Sequence, residues 1–526
     1  MSQAPGQDRG WRPRHNPWLV ALTVTLVAFM EVLDTTIVNV ALPHIAGELS
    51  SSQDEATWTL TSYLIANGIV LPISGFLGRL FGRKCYFLVC IGGFTASSFL
   101  CGTATSLGEL IVFRLLQGFF GGGLQPNQQS IILDTFPPDQ RARAFAITAV
   151  ATVVAPVLGP TLGGWITDNY SWRWIFFINV PIGLFTFFAV LQLVEDPPWA
   201  KRGARPNIDF IGLGFIALGF GALQVVLDRG EDADWFASPF IRLFAVLAAI
   251  GLVGAVYWLL YARRPIVDLR VLADRNFAVG SLMIFVMALI LYSSAVMLPQ
   301  LTQRQLGYTA LWAGLVLSPG ALVLGFLIPL VGRFVMPYVQ TRLIVAFGLL
   351  SLGLAFLYAQ NLTPQLDFYT LAKIRMAQTI GLAFLFVPIS TAAYLTLPAE
   401  QNADAAALYT MFRNVAGSIG IAVSTALVTT RSQVRQAYLT DHLGPLDPGF
   451  NDTLHQVEQS LTAMGVAPSQ VADTALGWVN QTLINQAAVL AYTDVFLYCA
   501  ALAFAGVPFA FLFSARRAAG AAAGVD

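Results

Sequence analysis

The chain contains fourteen apolar stretches, each long enough to cross a lipid bilayer as a helix. About 20 consecutive apolar residues span the hydrocarbon core, and such a segment must satisfy its backbone hydrogen bonds internally. Of the 526 residues, 56% are hydrophobic and 11% are charged, whereas an ordinary soluble chain is about a quarter charged. We therefore predict an all-α polytopic membrane protein. The stretches cover approximately residues 17–43, 56–79, 85–105, 108–135, 144–168, 173–195, 208–228, 239–261, 277–301, 309–333, 341–360, 367–396, 404–430 and 488–514.

Basic residues in the short loops indicate the orientation, because Lys and Arg accumulate on the cytoplasmic side. When the N-terminus is placed inside, the short external loops hold only Arg173, Arg229 and Arg304. We therefore predict a multi-pass protein with both termini in the cytoplasm. The basic residues assigned to the cytoplasmic side are Arg79, Arg83, Lys84, Arg141, Arg143, Lys201, Arg202, Arg205, Arg263, Arg264, Arg270, Arg275, Arg333, Arg342, Arg516 and Arg517.

Charge and cysteine content argue against several classes of function. The formal net charge is zero, so no global basic field favours a nucleic-acid partner. Cys85, Cys90, Cys101 and Cys499 lie in apolar stretches without the spacing of metal ligands. The sequence carries no phosphate-binding loop, zinc motif or nucleophile elbow. We therefore predict no nucleic-acid partner, no metal site, no catalytic residue and no enzymatic activity.

Similar short patterns recur in the two halves of the chain, as in transporters built from repeats. Four of them recur in the same order, at offsets of 256, 254, 250 and 261 residues. They predict two pseudo-symmetric six-helix bundles, over residues 1–195 and 276–526, with two inserted transmembrane helices and cytoplasmic linkers over 196–275. Chance similarity among apolar helices is the alternative. The patterns begin at Val40 and Val296, Trp58 and Trp312, Gly82 and Gly332, and Leu110 and Leu371.

The longest polar segment, residues 431–487, lies outside on this topology and belongs to the second bundle. Asn451-Asp452 and Pro468-Ser469 each precede an apolar-periodic run, which is typical of a helix start. We expect two short helices there. A loop this long is more often functional than not, and a solvated spacer is the alternative.

Four motifs stand at corresponding places in the first five spans and carry a family resemblance. Together they resemble the major facilitator superfamily, specifically its fourteen-span drug:proton antiporters of the EmrB type. Residues 227–230 (LDRG) and 265–269 (PIVDL) strengthen the resemblance, which covers nearly the whole chain. The motifs are Leu33–Pro43 (LDTTIVNVALP), Gly75–Lys84 (GFLGRLFGRK), Arg114–Gly118 (RLLQG) and Gly159–Gly164 (GPTLGG).

The resemblance implies proton-coupled multidrug efflux across the bacterial inner membrane by alternating access. The substrates would be hydrophobic or amphipathic small molecules taken from the cytoplasm or the inner leaflet. The proton gradient would drive transport, and no cofactor is implied. A periplasmic membrane-fusion adaptor and an outer-membrane channel would carry the substrate onward, with the adaptor touching segment 431–487. An exporter of a specific metabolite or siderophore with the same fold, and a facilitator that is not coupled to protons, remain alternatives.

One motif departs from the family pattern. The family usually carries an acidic residue in the loop between the second and third spans where this chain has Arg79, and an arginine where it has Leu80. A conformational latch that depends on that acid is therefore in doubt. Gly75, Gly82 and Arg83 are retained, so we expect the tight cytoplasmic turn of the motif.

Small residues and a proline in the fifth span are candidates for a gating surface. Gly159, Gly163 and Gly164 allow close approach of a neighbouring helix. Pro160 can bend the span because it lacks a backbone donor. Motion of one bundle against the other needs such surfaces, and static packing is the alternative.

Two carboxylates in the first span are the candidates for proton coupling, because a charged residue inside a membrane helix is costly. At about 1.5 Å per residue, Asp34 lies roughly 13 Å inside Pro43, and Arg114 lies roughly 10 Å inside the external end of span four. These similar depths predict a contact between Asp34 and Arg114. Glu31 shares a helix face with Asp34 and is expected to assist near the same cavity. A permanent ion pair that only docks the two spans is the alternative.

The second half carries cations without acidic counterparts in span nine. Lys373, Arg375 and Arg413 would favour anionic or weakly acidic amphipaths if they line a central cavity. Snorkelling or bonding to backbone carbonyls is the alternative. The predicted substrate-binding residues are Arg114, Gln117, Lys373, Arg375, Arg413 and Asn39.

Overall fold

A computed structural model of the protein describes residues 13–198, 209–263, 265–361, 367–441 and 447–514. These residues form α-helices joined by short turns, with no β-strand among them. The first half contains α1 (Pro17–Glu48), α2 (Gln53–Phe81), α3 (Arg83–Thr103), α4 (Leu107–Gly121), α5 (Leu124–Thr135), α6 (Pro138–Asn169), α7 (Trp174–Phe177) and α8 (Asn179–Leu193). It is followed by α9 (Phe210–Arg229) and α10 (Pro239–Tyr261). The second half contains α11 (Arg275–Arg304), α12 (Ala310–Leu330), α13 (Thr341–Tyr358), α14 (Phe368–Ala383), α15 (Phe386–Ala393), α16 (Asn402–Thr440), α17 (Pro448–Ala463) and α18 (Pro468–Ala510).

Within the described ranges, thirteen helical segments are long and apolar enough to cross a membrane. A fourteenth span is obtained when the bent helix α6 counts as one crossing, with a 40° bend between its Gln140–Pro156 and Leu158–Asn169 parts. Pro156 and Pro160 lie in α6, where each removes a backbone donor. The all-α polytopic membrane fold is therefore confirmed. We call the membrane face at which α1 begins the N side, and the opposite face the far side.

Two predicted spans are broken rather than continuous. The span predicted over 108–135 divides into α4 and α5, and the span predicted over 367–396 divides into α14 and α15. The first break falls at Gly122 and Gly123, where a side chain would collide with its neighbours: a Cβ on Gly122 would lie 2.8 Å from the Asn67 carbonyl oxygen. Each break follows a buried Arg-x-x-Gln motif within a few residues. Related irregularities thus recur in the two halves, although the boundaries of the predicted bundles remain a prediction.

The described residues of the long polar segment, 431–441 and 447–487, are almost all helical, which corrects the expected loop over 431–487. Helix α16 continues to Thr440, and α17 is the first of the two short helices predicted there. The second short helix was predicted with the wrong length, because the helix that starts at Pro468 is long and runs without interruption to Ala510. Extending an existing helix adds one hydrogen bond for each residue fixed, whereas a separate helix needs a new nucleus.

Helices α16 and α18 are much longer than a membrane crossing requires. Their 39 and 43 residues correspond to roughly 58 and 64 Å, against a hydrocarbon core about 30 Å thick. Both therefore extend beyond the membrane on the far side, where α17 joins them. The Arg435 Nη2 donates to Asp494 Oδ1 at 2.7 Å and ties α16 to α18 in this region.

The inserted helices α9 and α10 form a close pair. A Cβ on Gly251 would lie 2.3 Å from the Gly219 backbone nitrogen, so glycine is required for this approach. Helix α9 also contacts both halves of the protein. The Thr61 hydroxyl of α2 donates to Asp228, and the Ser418 hydroxyl of α16 donates to Gln224 at 3.4 Å. The pair is therefore anchored through α9 rather than lying free in the bilayer.

Candidate functional site

The predicted contact between Asp34 and Arg114 is present in the interior of the first half. Arg114 Nη1 donates to Asp34 Oδ2 at 2.7 Å. The other carboxylate oxygen accepts from Gln117 Nε2 at 2.9 Å and from Asn179 Nδ2 at 2.7 Å. Both charged side chains are completely buried. Buried charges are tolerated when they are paired and hydrogen-bonded, and Asp34 meets both conditions.

Arg114 is held on several sides besides its carboxylate partner. Its Nε donates to the Thr59 carbonyl oxygen at 3.2 Å, and its Nη1 also donates to Gln117 Oε1 at 2.7 Å. The guanidinium carbon lies 4.3 Å from the centre of the Tyr63 ring, a cation–π arrangement. Gly118 allows this approach, because a Cβ there would lie 2.3 Å from the Tyr63 carbonyl oxygen. Arg114 is thus oriented by α2 as well as by α1.

Glu31 belongs to a second hydrogen-bond network, although it is only one helical turn from Asp34. It accepts from the Tyr63 hydroxyl at 3.4 Å and from Asn67 Nδ2 at 3.2 Å, and the Gln125 amide also donates to it. Glu31 is buried, with 3% of its surface exposed. Asp34 faces α4 and α8, whereas Glu31 faces α2 and α5. Tyr63 lies between the two networks, because its hydroxyl reaches Glu31 and its ring covers Arg114.

The Glu31 network crosses from the first half of the chain to the second. Arg413 Nη2 of α16 donates to Gln125 Oε1, so one amide contacts both Glu31 and Arg413. A cavity of about 10 Å³ lies beside this link, among Gln129, Tyr409 and Arg413. That is room for about one water molecule, whereas pockets for drug-sized ligands have volumes of roughly 300–1,000 Å³. The two halves are therefore closed against each other at this level.

Arg375 occupies the position in the second half that Arg114 occupies in the first. Its Nη1 donates to the Ser294 hydroxyl at 3.2 Å and to Gln378 Oε1 at 3.4 Å. The Arg375 Nε and Gln378 Nε2 atoms are buried without a hydrogen-bond partner. In the part of the chain that the structure describes, no carboxylate lies within ion-pair distance of Arg375 or Arg413. Two buried guanidinium groups are thus held by neutral partners.

The structure separates the predicted substrate-binding residues into two groups. Arg114, Gln117, Arg375 and Arg413 are buried in the interior. Lys373 lies in the first turns of α14 with its side chain exposed. Asn39 is also exposed, and its Nδ2 donates to the Thr35 carbonyl oxygen at 3.4 Å. Lys373 and Asn39 are therefore not brought together with the buried arginines.

The predicted tight turn between the second and third spans is present on the N side. Gly82 adopts a φ of +84°, a region that side-chain-bearing residues rarely occupy. Next to it, the Lys84 backbone nitrogen donates to Asp196 Oδ1 at 2.9 Å. Arg83 turns inward, is 3% exposed and pairs with Asp134 of α5. The motif thus supplies the turn and the basic member of a buried ion pair.

The departure at Arg79 is matched by an acidic partner from the other half. Arg79 pairs with Asp404 near the start of α16, and Asn402 Nδ2 donates to Asp134 Oδ1 at 3.1 Å. A Cβ on Gly75 would lie 2.8 Å from the Ala403 carbonyl oxygen, so α2 and α16 touch directly here. The charge at Arg79 is opposite to the family pattern, and its carboxylate partner stands on α16.

The glycines of the fifth span pack against α1. A Cβ on Gly159 would lie 2.2 Å from Thr36 Oγ1, and one on Gly163 would lie 2.8 Å from Ile37 Cγ1. The Gly164 carbonyl oxygen accepts from the Thr167 hydroxyl at 3.1 Å. Pro160 is half-buried between these glycines. The packing role of Gly159 and Gly163 follows from these contacts, while their role in gating stays a prediction.

Several residues of the site were not singled out from the sequence. They share one signal, which is a polar side chain inside an apolar span. Gln125 and Gln129 belong to the run QPNQQ of span four, and Asn179 interrupts the apolar start of span six. Asp404 opens span thirteen close to Asn402. The residues that sequence reasoning missed are Thr59, Tyr63, Asn67, Gln125, Gln129, Asp134, Asn179, Ser294 and Asp404.

Comparisons with known proteins agree with this architecture. Residues 24–421 match the profile of the Major Facilitator Superfamily. The chain is 38% identical over 488 residues to the multidrug export protein EmrB of Escherichia coli strain K12, covering 92% of this chain and 93% of that protein. It is 36% identical over 478 residues to the fatty acid resistance protein FarB of Neisseria gonorrhoeae, covering 91% and 92%. The structure of the human organic anion transporter MFSD10 has the same fold, with a TM-score of 0.57 at 14% identity and coverage of 93% of this chain and 100% of that one. The chain therefore belongs to the major facilitator superfamily and, within it, to the EmrB type.

Proposed function

We propose that this protein exports hydrophobic and amphipathic compounds across the bacterial inner membrane in exchange for protons. The observation that carries the proposal is Glu31, a buried carboxylate that accepts hydrogen bonds only from neutral side chains in the contacts described above. A carboxylate in such surroundings can take up a proton without breaking an ion pair. Because its network reaches Arg413 in the other half, a change in its charge acts on both halves.

Asp34 has a different part in this proposal. It already accepts from a guanidinium group and two amides, so a proton placed on it would leave Arg114 buried without its counter-ion. We therefore assign Glu31 as the main proton carrier and Asp34 with Arg114 as its support. This reverses the assignment expected from the sequence, in which Asp34 was the main candidate for proton coupling and Glu31 was the helper.

The orientation follows from the basic residues. We take the N side to be the cytoplasm, with both termini there, because the loops on that side carry most of the Lys and Arg. Arg79 with Asp404, and Asn402 with Asp134, then close the cytoplasmic ends of α2, α5 and α16. In an alternating-access cycle, these contacts would part when the protein opens to the cytoplasm.

Acidic amphipaths are the proposed substrate class. A buried guanidinium group without a counter-ion is costly, and Arg375 is held by neutral partners. A substrate carboxylate would supply the missing anion, while the surrounding apolar surface would accept its hydrocarbon part. The name of the similar protein FarB, which refers to fatty acid resistance, agrees with this class.

A periplasmic adaptor and an outer-membrane channel are the proposed partners. Helices α16, α17 and α18 extend on the far side well beyond the membrane. The extension offers a surface on which an adaptor would dock so that substrate leaves through the channel. Removal of α17 with retained transport in vesicles, but lost resistance in cells, would support this part of the proposal.

Transport in proteoliposomes with an imposed proton gradient tests the function. The panel contains a fatty acid, its neutral amide and a lipophilic cation of equal chain length. We expect gradient-driven accumulation of the acid, and loss of that accumulation in Glu31→Gln with substrate exchange at equal pH retained. Gradient-driven transport by well-folded Glu31→Gln would remove Glu31 from the mechanism. Preference for the cation would contradict the substrate class, and activity towards one metabolite alone would favour a specific exporter.

A further inference from the structure

The side chain of Gln125 joins the two halves at the proposed proton site. Its amide nitrogen donates to Glu31 of α1, and its amide oxygen accepts from Arg413 of α16. One end of an amide is donor-only and the other end is acceptor-only. The charges of the two neighbours therefore fix its orientation, since a carboxylate accepts only and a guanidinium donates only.

We propose that Gln125 is a positioning residue that transmits the protonation state of Glu31 to the contact between the two halves. The inference rests on the proposed proton coupling and adds the residue through which it acts. While Glu31 is ionised, the Gln125 amide can satisfy both neighbours in one orientation only. This orientation holds Arg413, and the structure shows it with the N side closed.

A proton on Glu31 changes which hydrogen bonds the Gln125 amide can make. The carboxyl group then carries an O–H donor beside its remaining acceptor. The Gln125 amide can rotate by half a turn and accept that hydrogen bond with its oxygen. Its NH₂ group then faces Arg413, and two donors cannot bond. Protonation of Glu31 thus weakens the link between α5 and α16 and favours opening at the N side.

The surroundings of Glu31 leave this route available. On α2, the Tyr63 hydroxyl and the Asn67 amide contact it, and both are neutral. Its electrostatic neighbours are Arg413 of α16, Tyr292 of α11 and Asp34 on its own helix. Arg413 is the cation among these groups that stands on the other half. The Nε of Arg413 has no hydrogen-bond partner among the described residues. The guanidinium group of Arg413 is therefore held by its hydrogen bond to Gln125.

Gln129 provides a matched control one helical turn along α5. Its Nε2 donates to the Tyr394 hydroxyl at 3.0 Å, and its Oε1 accepts from the Thr410 hydroxyl at 3.3 Å. It therefore also links the two halves through both ends of an amide. Its partners are hydroxyl groups, and neither contact involves Glu31. Loss of Gln129 should change the opening equilibrium at every pH without removing the response to pH.

The test measures opening of the N side as a function of pH. Spin labels on Phe81→Cys and Glu400→Cys, in a Cys85→Ser background, report the distance between α2 and the segment before α16 in nanodiscs. We expect the distance distribution to lengthen as the pH falls in the otherwise unchanged protein. Gln125→Met should abolish the pH response, Gln129→Met should keep it, and Glu31→Gln should show one distance distribution, with both open and closed populations, at every pH.

Gln125→Glu supplies a second variant of nearly the same size. Its carboxylate accepts from Arg413 whether or not Glu31 is protonated, so the open population at low pH should fall about tenfold. An unchanged pH response in Gln125→Met or in Gln125→Glu would overturn the inference, and so would loss of the response in Gln129→Met. If the unchanged protein shows neither a pH response nor proton-driven transport, the proposed function itself fails.

Discussion

The two halves of the protein contain the same Arg-x-x-Gln motif in equivalent helices, yet the two arginines have different partners. Arg114 faces Asp34 at 2.7 Å and is fully buried. Arg375 faces the Ser294 hydroxyl at 3.2 Å and is also buried, with 2% exposure. In each half, the arginine also donates to the glutamine three residues later. The distance is 2.7 Å between Arg114 Nη1 and Gln117 Oε1, and 3.4 Å between Arg375 Nη1 and Gln378 Oε1.

The difference separates two roles for a buried cation. In the first half, the charge is neutralised inside the protein, and the hydrogen bonds of Asp34 join α1 to α4 and α8. In the second half, the charge lacks an internal carboxylate among the described residues, so a ligand can supply one. In the proposed function, the first Arg-x-x-Gln motif would have a structural role and the second would bind the substrate. Four substitutions test this comparison, in order of decreasing expected effect.

Asp34→Asn should cause the largest loss of stability. It leaves the Arg114 guanidinium buried without its counter-ion, and breaking a buried pair costs about 3–5 kcal/mol. Ser294→Ala, the equivalent change beside Arg375, removes a neutral acceptor and should cost about 1 kcal/mol. Thermal unfolding of the detergent-solubilised variants measures both. Equal losses would mean that the two sites do not differ in the way proposed here.

Arg375→Met should separate binding from stability. It removes a buried cation that lacks an internal carboxylate partner, so the unfolding temperature should hold or rise. The affinity for an acidic amphipath should fall by about tenfold or more, because charge-assisted hydrogen bonds are the strong ones. Its neutral amide should bind as before. Calorimetric titration measures both ligands, and Lys373→Met is the control because that side chain is exposed. Equal effects of the two variants would contradict the assignment.

Ser294→Asp should make the second site resemble the first. The new carboxylate would pair with Arg375 and compete with the carboxylate of the substrate. We expect the affinity for the acidic amphipath to fall about fivefold, or roughly 1 kcal/mol, less than in Arg375→Met. Ser294→Asn has nearly the same size without the charge and should leave the affinity close to that of the unchanged protein. Tighter binding in Ser294→Asp would show that the substrate does not use Arg375.

The contact between Asp34 and Arg114 was predictable from the sequence, because depth in a membrane follows from counting residues along a helix. Whether a cation on a span faces the interior or the exterior of the protein was harder to predict from the sequence. Lys373 and Arg375 are two residues apart in one span, and only the latter faces the interior. Both have the same sequence environment, so the packing of α14 against α12 and α13 decides which one is buried.

Long-range partners were the part that the sequence could not supply. Arg79 was identified as a departure from the family pattern, but its partner Asp404 lies in the other half of the chain. Similarly, Gln125 becomes informative only when α5 and α16 are seen to meet at Arg413. The fold class followed from span length and composition, whereas the helix break at Gly122 lies where α2 approaches closely, a contact between distant parts of the chain.

Asp494→Asn should have the smallest effect, and it extends the comparison to a more exposed pair. Arg435 and Asp494 join α16 and α18 at 2.7 Å, the same distance as in the buried pair of the first half. Arg435 is 39% exposed, so water and salt screen the attraction, and such pairs contribute about 1 kcal/mol or less. Thermal unfolding at low and high salt measures the contribution, which should shrink as salt is added. Arg431→Gln is the control, because Arg431 lies 3.9 Å from the same carboxylate. If Asp494→Asn cost as much as Asp34→Asn, distance rather than burial would set the strength of these pairs, and the distinction between the two arginine sites would lose its physical basis.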